Sequence, residues 1–202
     1  MKKYERIRTR VSVMFILLCA MSVYTLSSVC AQEGAQENVP SGYTMKWAND
    51  IKVGLLVPDG WHVTRDDSES AKSLLITKED IAVQGSFKTG FTVIIIPDID
   101  DRADVPPSEY AEFFVNNMKN VTDRSWDIKP IEMSESCSGS GGFFESKSDT
   151  DGTPIVQYIM AVGNDTTGTV YIVQYVSTKK DWAQNWTYGQ TILNHMELSS
   201  KL

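Results

Sequence analysis

The sequence predicts an α+β fold: a twisted antiparallel sheet of about six to seven strands with helices on both faces, an α/β/α sandwich. Three observations point there. First, strand-like runs are separated by short turn signals rather than by repeated helices, the order expected of hairpins and meanders. Second, three of those runs, Phe91–Ile96, Ile155–Val162 and Thr169–Val176, are apolar on both faces, so both faces of the sheet centre must be covered. Third, two segments carry helical periodicity and can supply that cover.

The elements follow in order. Tyr43, Met45 and Trp47 alternate with Thr44 and Lys46, the period-two pattern of a half-buried strand. Asn49-Asp50 turns the chain into Ile51–Val57, and Pro58-Asp59-Gly60 ends that strand before Trp61-His62-Val63. Leu74–Thr77 and Phe91–Ile96 are further strands. Pro107-Ser108-Glu109 opens a helix, with Ser108 as the expected cap and Glu109 at the positive end of the dipole. Tyr110, Phe113, Phe114, Met118 and Val121 then define one expected buried stripe.

Beyond Ile128 the chain reads as a meander of Lys129–Cys137, Phe143–Ser148, Ile155–Val162 and Thr169–Val176. Its expected turns are Ser138–Gly142, Asp149–Gly152 and Asn164–Gly168. The Ser/Glu-rich hairpin Glu132–Ser148 is expected at a sheet edge. Thr178-Lys179-Lys180-Asp181 has capping-box spacing, and Trp182, Trp186, Gly189, Leu193 and Met196 line one face of the closing helix.

Domain organisation comes from the start of the chain. Val11–Val23 is an apolar run too short to span a bilayer as a helix, which needs about 20 residues; it follows Lys2, Lys3, Arg6, Arg8 and Arg10 and precedes Val29-Cys30-Ala31. Residues 1–31 therefore read as a cleaved export signal, 32–42 as a flexible lead and 43–202 as one domain, placing the mature chain in the periplasm or outside the cell. An uncleaved N-terminal anchor and a lipid on Cys30 are the alternatives, and the β-branched Val29 directly before the cysteine weighs against the second.

Charge narrows the partners. Residues 1–31 hold five of the 19 basic and one of the 26 acidic side chains, so the formal charge of −7 becomes −11, from 14 against 25, on residues 32–202. Such a surface repels polyanions, so nucleic acid and anionic membrane are poor partners for it and a protein or envelope component is expected. Loss of Cys19 and Cys30 with the signal leaves Cys137 alone, so the mature fold is held by its core and not by an internal disulfide.

No motif for catalysis stands out, and no catalytic or cofactor-binding residue is assigned. The two histidines, His62 and His195, lie outside His-x-x-x-His, Cys-x-x-Cys or Gly-x-Ser-x-Gly settings, and a Cys137–His pair has no third orienting residue. A hydrolase without a recognisable motif therefore remains a minor alternative. The strongest ligand lead is the acidic stretch Asp98, Asp100, Asp101 and Asp104, with Glu109 where the twelfth residue of a calcium loop would lie. Against calcium, Arg102 and Ala103 occupy positions that want an oxygen ligand and a Gly, and a strand precedes the loop. A solvated acidic loop from strand to helix is the plainer expectation. Asn120, Asn164 and Asn185 each begin an Asn-x-Thr sequon.

The order of elements resembles the PsbP-like family. The likeness rests on the opening strand Tyr43–Trp47, on Pro58, Gly60 and Trp61, on Thr92–Ile96 ahead of the helix start at Ser108, and on a last strand and helix holding Trp182, Ile192 and Leu193. These are packing residues, and no catalytic motif comes with them. The resemblance implies a compact, non-enzymatic binding or assembly module on the far side of a membrane, and nothing in the residues points to photosynthesis.

Overall fold

The computed structural model describes residues 39–49, 51, 53–148 and 151–198. The expected export signal and most of the 32–42 lead lie outside them. In chain order the described elements are β1 Tyr43–Ala48, β2 Val53–Pro58, β3 His62–Asp67, β4 Lys72–Thr77, α1 Ile81–Gln84, β5 Gly90–Ile96, α2 Ile99–Ala103 and α3 Pro107–Val121. Then come β6 Arg124–Ser134, β7 Cys137–Lys147, β8 Pro154–Asn164, β9 Thr169–Thr178, α4 Trp182–Asn194 and β10 Glu197–Leu198.

Seven strands form one sheet in the order β3-β4-β5-β9-β8-β7-β6, antiparallel throughout. The three runs apolar on both faces, β5, β9 and β8, are its three central strands. Alternate side chains of β5 enter opposite cores: Phe91, Val93 and Ile95 one, Ile94 and Ile96 the other. One face is covered by α3, where Ala111 and Val115 meet Phe144, Ile159, Ala161 and Ile172. The other is covered by α4 and by a second sheet, β1-β2-β10, which brings Leu55, Ile192, Met196 and Leu198 onto Ile76, Phe91, Val173 and Tyr175.

The layered α+β architecture matches the expectation, with one addition. The opening strands do not join the main sheet. β2 is buried at every residue, β1 flanks it, and two residues after α4 complete a separate three-stranded sheet.

Four local expectations are corrected. Ser138–Gly142 is strand and not turn; the chain reverses at Glu135–Ser136. Its glycines serve close packing, because a Cβ on Gly139 would run into the Ala161 carbonyl and one on Gly142 into Ile128. Helix α3 buries Pro107, Ala111 and Val115, with Tyr110, Phe114 and Met118 half-buried beside them, while Phe113 and Val121 are each 67% exposed. The small side chains, not the aromatic ones, set the contact face, since they let the helix lie close to the sheet. Ser108 is not the cap: the helix begins at Pro107, in the first-turn position where a missing N–H costs nothing. Last, Thr178 and Asp181 do bond, the Thr178 hydroxyl donating to the Asp181 carboxylate (2.8 Å), but the helix starts only at Trp182.

On the α4 face one cross-strand row runs Trp126–Phe143–Tyr158–Tyr175–Phe91 over five strands. Trp182 and Trp186, stacked at 5.1 Å, lie on it, and Gly189 lets the helix approach the Tyr175 ring. Aromatic contacts of this kind contribute roughly 0.5–1.5 kcal/mol each beyond burial.

Candidate functional site

The expected acidic loop is a five-residue helix, α2, between two aspartates, Asp98 and Asp104, that both adopt the left-handed backbone at φ 55°. Aspartate tolerates that region better than most residues because its short carboxylate bonds locally. Ile99 is buried and anchors the turn, its N–H donating to the Gly168 carbonyl at 2.8 Å. Asp100 lies against Gly168, where any side chain would strike the carboxylate. Arg102 donates to the Ser70 carbonyl at 2.7 Å and ties α2 to the β3–β4 turn.

The facing wall comes from the β8–β9 turn. Asn164 shapes it by accepting the N–H groups of Thr166 and Thr167. Asp165 then receives both the N–H and the hydroxyl of Ser108, each at 2.8 Å. A helix start leaves its first N–H groups without partners inside the helix, and here a carboxylate 57 residues further along the chain satisfies one of them. Gly163, next to this turn, carries the first turn of α3 directly, since an added Cβ would fall inside the Pro107–Ser108 backbone.

Between these walls lies an open cleft of about 430 Å³, lined by Asp100, Asp104, Val105, Pro106, Pro107 and Asp165. The structure thus brings Asp100 and Asp104 together and leaves Asp98 and Asp101 outside the lining. Asp165 was missed by sequence reasoning; its only signal is its place in a turn, and nothing local ties that turn to a helix more than fifty residues earlier. Glu109 is exposed on the first turn of α3 and is not in the lining. Among the described residues no group of three or more His, Cys, Asp or Glu side chains is placed to hold a metal ion. Three carboxylates around an apolar floor of one valine and two prolines can receive a cationic group together with the hydrocarbon stem that carries it.

The other sequence leads fall apart in space or into the core. His62 is exposed at the start of β3, with Nδ1 3.9 Å from the Asp80 carboxylate. Cys137 is half-buried at the start of β7. Four strands separate β3 from β7, roughly 24 Å at the usual strand spacing, which rules out a Cys137–His62 pair. His195 ends α4 with Nδ1 2.9 Å from the Thr191 carbonyl. Asn164 and Asn185 are buried, so of the three sequons only Asn120 is exposed.

No family model matches the chain, and no curated protein does. Solved structures do. The chain is similar to the Ran-binding protein Mog1p of Saccharomyces cerevisiae, with a TM-score of 0.47 and 11% identity over 77% of this chain and 95% of that one. It is similar also to the cyanobacterial PsbP of Synechocystis, with a TM-score of 0.46 and 11% identity over 86% and 98%. A third is a protein of Bacteroides thetaiotaomicron, with a TM-score of 0.45 and 12% identity over 79% of this chain; the chain spans 50% of its length.

Proposed function

We propose that the mature chain is an exported, non-enzymatic binding or assembly module that receives a cationic segment of a protein or envelope partner in the cleft between α2 and the β8–β9 turn. The observation that carries the reading is the convergence of Asp100, Asp104 and Asp165 from two separate segments onto one cleft with an apolar floor. Its lining holds no histidine, cysteine, serine or lysine, and it offers a ligand carboxylates and hydrocarbon. The charge of −11 on residues 32–202 favours approach of a cationic partner at any orientation. Export rests on the basic and apolar pattern of residues 1–31.

The test is recovery of partners from the exporting cell by wild type and by the double variant Asp100→Asn/Asp104→Asn. A partner held by wild type and lost by the variant, with an unchanged melting temperature, supports the cleft; identical recovery by both removes it. The calcium reading of the same loop predicts a melting temperature that rises with added calcium and loses that rise in Asp98→Asn/Asp100→Asn. An unmoved melting temperature excludes calcium while leaving the partner reading intact.

A further inference from the structure

The two edges of the seven-stranded sheet are built differently. At one edge, β6 is broken by register shifts between Trp126 and Lys129 and between Glu132 and Ser134, holds Asp127 at φ 52°, and contains Pro130, which has no N–H to offer. These are the devices by which edges are closed to further strands. At the other edge, β3 pairs with β4 in unbroken register over six residues, all six are exposed, and among the described residues no strand pairs with its outer side. What β3 carries instead is a charge pattern: His62 and Arg65 ahead of Asp66 and Asp67.

We propose that β3 pairs with β3 of a second copy of this chain, antiparallel about a twofold axis through Thr64, joining the two seven-stranded sheets into one. An antiparallel pair of identical strands has its axis normal to the sheet, so one residue faces itself and each face of the sheet continues into the same face of the other copy. Only a few centres are then available. Centring on Arg65 opposes two guanidinium groups, and centring on Asp66 opposes two carboxylates. Centring on Val63 opposes His62 to Thr64 and sets no opposite charges against each other within the strand.

Centring on Thr64 alone sets opposite charges against each other within the strand without opposing like ones. Thr64 faces Thr64, a favourable cross-strand pair, and His62 of each copy faces Asp66 of the other. On the opposite face Val63, 44% exposed in the single chain, lies under the hydrocarbon stem of Arg65 from the second copy. Arg65 keeps the bond to Asp67 of its own strand at 3.0 Å, so its charge is already balanced as it enters the pair. His62, within 3.9 Å of Asp80, comes to lie between two carboxylates. One edge-to-edge pairing buries well below the ~1,600 Å² of a standard interface, so the dimer is weak and concentration-dependent.

The experiment is sedimentation of the chain purified from the exporting cell, over a wide concentration series. The wild-type mass is expected to rise from one copy towards two. His62→Asp places carboxylates opposite each other twice, and Asp66→Lys places an ammonium opposite His62 twice; each alone should associate roughly tenfold more weakly or worse. Mixed in equal amounts they should recover the dimer, because the introduced aspartate of one then faces the introduced lysine of the other. Thr64→Lys sets two ammonium groups face to face at the axis and should abolish the pairing. All three positions are exposed, and unchanged melting temperatures check that the fold is intact. A wild type that stays at one copy throughout overturns the proposal. So does a dimer that the single variants leave unchanged, or a mixture no better than its components.

Discussion

Helices α3 and α4 cover opposite faces of one sheet and are held there by different physics. Helix α3 buries Ala111 and Val115, which carry no polar atoms, and is fixed at its N-terminal end, where its first turn rests on Gly163 and Asp165 bonds Ser108. Helix α4 is pinned from the inside. Asn185 is 5% exposed, and its side-chain amide donates to the hydroxyls of Ser177 (2.8 Å) and Thr89 (3.3 Å), while its main-chain carbonyl accepts from the Tyr175 hydroxyl. An apolar contact face permits a helix to slide, whereas a satisfied buried network fixes one register. The same loss therefore costs differently on the two sides: at α3 the sensitive groups sit in the loop and strand that meet the helix start, and at α4 on a buried side chain of the helix's own first turn.

The largest effect should come from breaking the α3 side. Gly163→Ala puts a methyl group where the Pro107–Ser108 backbone lies, and backbone cannot step aside as a flexible side chain can. The expected cost is about 3 kcal/mol, lowering the melting temperature by roughly 6–12 °C for a domain of this size, measured by thermal unfolding. Asn185→Ala is the matching strike on α4. It leaves the Ser177 and Thr89 hydroxyls sharing only each other, at 3.3 Å, in a site where both are buried. A cost of about 2 kcal/mol is expected from chemical denaturation at constant m-value. An Asn185→Ala variant as stable as wild type would show that α4 is held by its aromatic face alone.

The contrast between the helices also marks how far the sequence could be read. Patterns that depend on one element were legible: the double-sided runs of β5, β8 and β9 fixed the sheet centre, and Trp182, Trp186 and Gly189 marked the inner face of α4. What could not be read depends on two segments at once. Ser108 has the chemistry of a cap, but the acceptor that decides its role is Asp165, and the pairing exists only after β8 and α3 have met. Gly139 and Gly142 carry the composition of a turn, yet they are strand residues, and they are glycine because the Ala161 carbonyl at one and Ile128 at the other leave no room for a Cβ. In the acidic cleft Asp100 and Asp104 stood out as charge in a short stretch, while their partner in the lining came from a turn about sixty residues later.

Two smaller substitutions sharpen the comparison. Asp165→Ala removes the acceptor for the Ser108 N–H and hydroxyl and should cost about 1 kcal/mol, the usual range for a lost helix cap. Gly189→Ala acts on α4 with opposing signs. Alanine favours a helix interior over glycine by about 1 kcal/mol, but the methyl group would meet the Tyr175 Cγ and the Trp186 ring at 2.8 Å. Overpacking should win by a small margin, for a net loss of about 1 kcal/mol, and the shifted rings should change the near-ultraviolet circular dichroism. A net gain in stability would mean that α4 can lift off Tyr175, and the buried Asn185 network would then not fix its register.

The smallest effect is expected at the surface neighbour of that network. Lys88, next to Thr89, bonds Asp151 at 2.8 Å, and this hydrogen bond, with those from Thr153, holds the Asp151 carboxyl well below the usual carboxylate range. A lowered folded-state value means that the contribution is present above the unfolded value near 3.8 and is lost as pH falls through the folded one. Both groups are exposed, so water and salt screen the pair. Lys88→Met should therefore shift the melting temperature measurably only at low ionic strength and near neutral pH, and not in high salt. A loss that persists in high salt would show Lys88 supporting Thr89, and through it Asn185, by packing and not by charge.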